Sequence, residues 1–114
     1  MDVEDLGQRI EALAQQAVAL VNTGQNVQAL DFLRQALGLA ETIGSWSVRK
    51  QVEGALRWRL ASALQALGRD DEAESELRLA LDVLSHVWDA DHERIRVLIA
   101  LAGLLTQQTR LDEA

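Results

Sequence analysis

The sequence predicts an all-α protein: five helices stacked as antiparallel hairpins in about two and a half repeats. Three observations carry that expectation. The 114-residue chain has no proline, and its 48% hydrophobic share is mainly Leu, Ala, Val and Ile, since aromatics reach only 4%. Such a composition favours helix almost throughout. The chain also repeats itself at a period of a few tens of residues, the mark of stacked supersecondary units. Finally, the repeat points coincide with helix breaks.

The repeat is clearest with Gly24, Gly68 and Thr109 as reference points, spaced by 44 and 41 residues. Alanine follows five residues after each, at Ala29, Ala73 and Ala114. Leu33 and Leu77 come nine after the first two, and Ala36 and Ala80 twelve after. Alanine also stands seven before each point, at Ala17, Ala61 and Ala102, and leucine four before, at Leu20, Leu64 and Leu105. Small residues of this kind let two helix backbones approach, while the leucines beside them fill the remaining space.

The first helix is expected from about Val3 to Asn22, after Asp2 as cap, with Leu6, Ile10, Leu13, Ala17 and Leu20 on one face. Asn22-Thr23-Gly24-Gln25-Asn26 ends it, with a glycine suited to a left-handed C-cap. The second helix runs from about Val27 to Ile43, and a connection at Gly44-Ser45-Trp46-Ser47 offers Ser47 or Ser45 as the next cap. The third covers about Val48 to Leu67, aligning Val52, Leu56, Leu60 and Leu64. Gly68 repeats the break, and Asp70, Asp71 and Glu72 suit the positive end of the fourth helix, about Asp71 to Val87. Asp89 or Asp91 caps the fifth, about His92 to Gln108, and Leu111-Asp112-Glu113-Ala114 reads as the opening turn of an uncompleted sixth. The repeats thus fall at about 3–43, 48–87 and 92–114 in one domain, the size allowing a single shared core.

Charge and composition exclude several function classes. A net charge of −7 opposes nucleic-acid binding, which needs a basic stripe to release counterions. Arg49, Lys50, Arg57 and Arg59 come nearest to one, but they spread around a helix, are answered by Glu53, and read as solvated surface. The acidic run Asp70–Glu76 likewise reads as a solvated helix face. There is no cysteine, hence no disulfide framework or thiol chemistry. The acidic start Met1-Asp2-Val3-Glu4-Asp5 differs from the basic opening of a signal peptide, and no apolar run has the length of a membrane span. A soluble cytoplasmic protein is expected, and ten arginines against one lysine suggest a GC-rich bacterial genome.

The repeated residues resemble the tetratricopeptide repeat family. Ala29-x-x-x-Leu33 and Ala73-x-x-x-Leu77 are similar to the alanine and large residue of its second helix. Leu98-x-x-Leu101-Ala102-x-x-Leu105 is similar to the small-residue pattern of its first helix, alanine and leucine replacing the usual glycine and tyrosine. Arg57 and Gln16 depart from that pattern in the earlier repeats, and the customary proline is missing. Periods of 44 and 41 exceed the usual period of about 34. They resemble the longer-period branch found in kinesin light chains, spindle-orientation adaptors and bacterial regulators. The resemblance implies a right-handed superhelical stack that binds a protein or peptide partner, without enzymatic activity or cofactor.

It also implies a concave groove. From helix one the groove would be lined by Ala14, Val18, Val21 and Asn22; from helix three by Ala55, Trp58, Ser62, Gln65 and Ala66; from helix five by Arg96, Ile99, Gly103, Thr106 and Gln107. An apolar floor with polar margins suits an amphipathic helix or extended peptide, with Trp58 as anchor. Family members that grip a C-terminal carboxylate use paired Lys, Arg and Asn; here Val18 and Ser62 stand where asparagine would be expected, and Arg96 alone is no clamp. Trp46 and Trp88, after the second helices, are expected to plug gaps between repeats. No catalytic constellation is evident. Two His and two Asp in Ser85–His92 could ligate zinc or nickel in principle, but they read as helix-end residues, so no metal is expected. The alternative to the groove is self-association: Ile95, Leu98, Leu101, Ala102 and Leu105 form an apolar stripe too wide for helix four to cover, through which two fifth helices would pair as a homodimer.

Overall fold

The computed structural model describes residues 3–113, with side chains from Glu4 to Thr109. Five helices follow one another: α1 Val3–Asn22, α2 Asn26–Ala40, α3 Trp46–Ala66, α4 Asp70–Leu84 and α5 Asp91–Glu113, with no strand among the described residues. The expected cap at Asp2 lies outside them.

Two identical turns close the hairpins. Gly24 and Gly68 adopt φ of 81° and 77°, a conformation in which a Cβ would be strained. Around the first, Gln25 N–H donates to Leu20 O at 2.7 Å and Gly24 N–H to Val21 O at 3.1 Å. Around the second, Arg69 N–H donates to Leu64 O at 2.9 Å and Gly68 N–H to Gln65 O at 3.0 Å. Both are Schellman caps, which satisfy carbonyls the helix leaves free. Asp70, Asp71 and Glu72 then open α4 at its positive end, where Arg69 hydrogen-bonds Glu72 and holds that carboxyl below the usual range.

The longer connections differ from the sequence expectation. α2 and α4 end at Ala40 and Leu84, three residues earlier than Ile43 and Val87. Their final turns tighten, with Ile43 N–H donating to Ala40 O and Val87 N–H to Leu84 O, both at 3.1 Å. The Thr42 and Ser85 hydroxyls reinforce the break by donating back to Leu39 O at 2.7 Å and Asp82 O at 2.6 Å. An arginine from the following helix completes each. Arg49 reaches Ile43 O at 3.0 Å, and Arg94 reaches Leu84 O at 2.8 Å and Val87 O at 3.0 Å. Of the two candidate serines, Ser45 caps α3, accepting from Val48 N–H at 3.3 Å.

The two tryptophans of these connections do not plug the gaps. Trp46 is 47% exposed and Trp88 93%, whereas Ile43, Val87 and Ala90 are buried. The tightened ends turn the aliphatic residues inward, and Asp89, at φ 66°, reverses the chain before Ala90. The expected sixth helix is also absent from its place: residues 111–113 continue α5. Ala114 lies outside the described residues.

Each helix packs on its sequence neighbours, and α1, α3 and α5 also meet in an inner row. Among the described residues the backbones of α2 and α4 do not approach each other closely. The row whose members meet follows the shorter arc, so α1, α3 and α5 line the inside of the curve. The body measures 53 × 32 × 17 Å, its thin dimension matching two layers of helices packed about 8–10 Å apart. The repeat residues make the core: Ala17, Ala29, Ala36, Ala61, Ala73 and Ala80 are buried, together with Leu33, Leu64 and Leu77. Full burial of each leucine contributes roughly 1.5–3 kcal/mol.

Gly54 is a contact the repeat did not reveal. A Cβ there would lie 2.6 Å from the side chain of buried Leu84. At the equivalent positions, 44 residues earlier, hairpin one has Ile10 and Ala40, both buried. Large and small have exchanged helices between the two hairpins.

Candidate functional site

The inner row builds one small hollow at the junction of the hairpins. Ala17, Val18, Val21 and Asn22 of α1, Leu33 of α2, and Trp58, Arg59 and Ser62 of α3 surround about 240 Å³. The Ser62 hydroxyl donates to Trp58 O at 3.2 Å, so its polarity is spent on its own helix. Asn22 and Arg59 supply the polar groups of the rim. Trp58 is half-buried, packs against the core and lines the hollow.

The remaining groove residues lie further along α3 and α5. The Arg96 guanidinium carbon sits 5.7 Å from the centre of the Trp58 ring, a cation–π contact worth about 0.5–1 kcal/mol at an exposed site. Gln65 donates to Gln107 at 3.3 Å, bridging α3 to α5. Ile99 is 67% exposed, and Thr106 spends its hydroxyl on Ala102 O at 2.8 Å. None of these five lines the hollow; Arg96 reaches it through Trp58. Ala14, placed in the groove by the resemblance, is buried in the core instead.

The basic residues of α3 divide sharply. Arg57 points toward α4, where it meets Glu76 at 2.8 Å; on its own helix Glu53 lies 3.6 Å from it, with Lys50 at 3.7 Å from Glu53. This corrects the solvated reading of Arg57 and of Glu76, both of which are only about a fifth exposed at the side chain (23% and 21%). It also accounts for the departure of Arg57 from the first-helix pattern, which has Leu98 at this place in the last repeat. Arg59 and Arg96, by contrast, enter no ion pair among the described residues. In a chain of net charge −7, the mouth of the hollow is therefore locally basic.

The self-association residues separate as well. Leu98 is 51% exposed and Leu105 lies at the exposed edge, but Leu101 is buried against the body and faces away from them. The uncovered stripe is Ile95, Leu98, Ala102 and Leu105, with Ile99 beside it. A larger hollow of about 610 Å³ between α1 and α2 went unread in the sequence; Arg9, Ala12, Leu13, Gln35, Gly38 and Leu39 line it. Its only sequence signal is the pair of small residues Ala12 and Gly38 on adjacent helices. Among the described residues no three His, Cys, Asp or Glu groups converge as for a metal, and Asp91 of the His/Asp junction pairs with Arg94.

One hairpin can be compared with known proteins by sequence. Residues 55–83 match the tetratricopeptide repeat family. The match begins beside Gly54 on α3, includes Trp58, Ser62 and the Gly68 turn, and ends at Val83 on α4. Hairpin one carries the same Ala and Leu residues at the same offsets around Gly24, outside the matched span. No curated protein and no solved structure matches the chain. No helix among the described residues is long and apolar enough to cross a membrane.

Proposed function

We propose that this protein is a non-enzymatic interaction module whose concave face holds a segment of another protein, anchored at the Trp58 hollow. Tetratricopeptide repeats generally mediate contacts between proteins, and the matched hairpin supplies Trp58, Arg59 and Ser62. The observation that carries the reading is the hollow's chemistry: apolar walls on the inner face, with Arg59 and Arg96 free to meet a partner. At about 240 Å³ it is smaller than the 300–1,000 Å³ typical of small-molecule sites, and suits one apolar side chain of a bound helix or strand. Its lining holds no carboxylate, histidine or free hydroxyl that could act as base or nucleophile. Repeat periods of 44 and 41 residues support a place in the longer-period branch of the family.

The test is selection of a displayed peptide library on the wild type, with Val18→Asp as counter-target. Val18 is exposed at the hollow, so the substitution changes its chemistry with little effect on the core. Selected peptides are expected to bind the wild type at least tenfold more tightly and to shift the Trp58 indole resonance. Peptides that bind both proteins equally, or leave Trp58 unmoved, would remove the hollow as the site.

A further inference from the structure

The outward face of α5 carries Ile95, Leu98, Ala102 and Leu105, spaced by three, four and three residues. At the repeat offset of 41 they correspond to Gly54, Arg57, Ala61 and Leu64 of α3. That is the face α4 covers: Leu84 lies on Gly54, Glu76 on Arg57, and Ala61 and Leu64 are buried. On α5 the same face is open, with Ile95 52% and Leu98 51% exposed. An apolar stripe at these positions is a helix-pairing surface that no described residue covers.

Three features say what fits it. The three–four–three spacing is that of a seam between two helices crossing at about 20°. The sizes are self-complementary: around a two-fold axis beside Ala100, antiparallel copies set Leu98 against Ala102 and Ile95 against Leu105. Large then meets small at the centre of the seam, as Leu84 meets Gly54 within the chain. The charge also permits it. Two copies at −7 each repel, but no charged residue lies between Val97 and Thr109, so the centre of the seam brings no like charges together.

We infer that a second copy of this chain covers the face, giving a two-fold homodimer with α5 packed antiparallel on α5. The seam from Ile95 to Leu105 is about 15 Å long, which places the contact at the low end of protein interfaces. The dimer therefore forms with rising concentration rather than as an obligate unit. This surface lies on a different side of α5 from Arg96, so dimerisation is independent of the Trp58 hollow.

Sedimentation velocity from low micromolar to millimolar protein tests the proposal. Wild type and Trp58→Ala should both pass from monomer to dimer, while Leu98→Asp should remain monomeric, with unchanged helix content as the check on folding. The absence of native cysteine allows a second measurement of register. Leu98→Cys chains mixed with Ala102→Cys chains should yield mixed disulfide dimers in several-fold excess over same-residue dimers. A wild type that stays monomeric at millimolar concentration would overturn the inference. A dimer that persists in Leu98→Asp, or 98–98 crosslinks in excess, would overturn it equally.

Discussion

α3 and α5 are the same helix in two surroundings. Their faces toward the preceding hairpin agree position for position: Leu56 and Val97, Leu60 and Leu101, Ala63 and Leu104 are all buried. Their opposite faces do not. On α3 that face is Gly54, Arg57, Ala61 and Leu64, shaped around Leu84 and Glu76. On α5 it is Ile95, Leu98, Ala102 and Leu105, apolar and left open among the described residues. The difference teaches that the Ala/Leu repeat specifies which helices pack, while the residues between its positions record what each face has been fitted to.

The largest expected effect comes from giving α3 the residue α5 has. Gly54→Ile would drive a β-branched side chain into Leu84, whose Cγ lies 2.6 Å from the position of the first added carbon. Gly54 is buried in the middle of α3 and Leu84 is buried at the last residue of α4, so relief must come from moving the end of α4 away from α3. Overpacking of this kind costs about 3 kcal/mol, a fall of roughly 10–20 °C in melting temperature. Adding Leu84→Ala recreates the Ile10 and Ala40 combination of hairpin one and should recover most of the loss. Thermal unfolding of the single and double variants measures both; a double variant as unstable as the single would show that the two hairpins do not share one geometry.

A smaller effect is expected at Ala61, which is buried but already carries a Cβ that its neighbours accommodate. Ala61→Leu should cost about 1–3 kcal/mol. An unchanged melting temperature would mean that α4 can move aside, and that the contrast with α5 is weaker than burial suggests.

Much of this architecture was legible because its signals are local. Gly24 and Gly68 mark the turns because only a left-handed residue completes the Schellman bonds, and the alanines recur because every hairpin crosses the same way. Val18, Val21, Asn22, Trp58 and Ser62, placed along one groove by the resemblance, surround one hollow, whereas Gln65, Arg96, Ile99 and Thr106 do not line it. What was not legible depends on pairs distant in sequence. Arg57 and Glu76 are nineteen residues apart, and either alone reads as solvated surface. Gly54 reads as a poor helix residue until Leu84 is placed on it. Arg49 and Arg94 look like surface charge, yet each secures the connection after an earlier helix by donating to carbonyls there, Ile43 O for Arg49 and Leu84 O and Val87 O for Arg94. Trp46 and Trp88 misled for the opposite reason: large aromatics are expected inside, but the tightened ends of α2 and α4 turn Ile43 and Val87 inward instead.

The smallest effect sharpens the comparison most. Ala102 is the α5 equivalent of Ala61, with the same residue, helix and offset in the repeat, but it is exposed. Ala102→Leu in dilute protein should change stability by no more than about 0.5 kcal/mol, the usual range for surface substitutions. Leucine and alanine have similar helix propensities, so neither backbone nor packing opposes the change. A loss comparable to that of Ala61→Leu would mean that something within the chain covers α5 after all. At high protein concentration the same variant meets a different environment. In the antiparallel seam position 102 faces Leu98 of the second copy, and two leucines there would overfill the space. Dimerisation should weaken at least tenfold while the monomer keeps its melting temperature, a separation that sedimentation and dilute thermal unfolding on one sample can establish. If the variant instead dimerises as well as the wild type, Ala102 is not opposite a large side chain, and the register inferred for the seam is wrong.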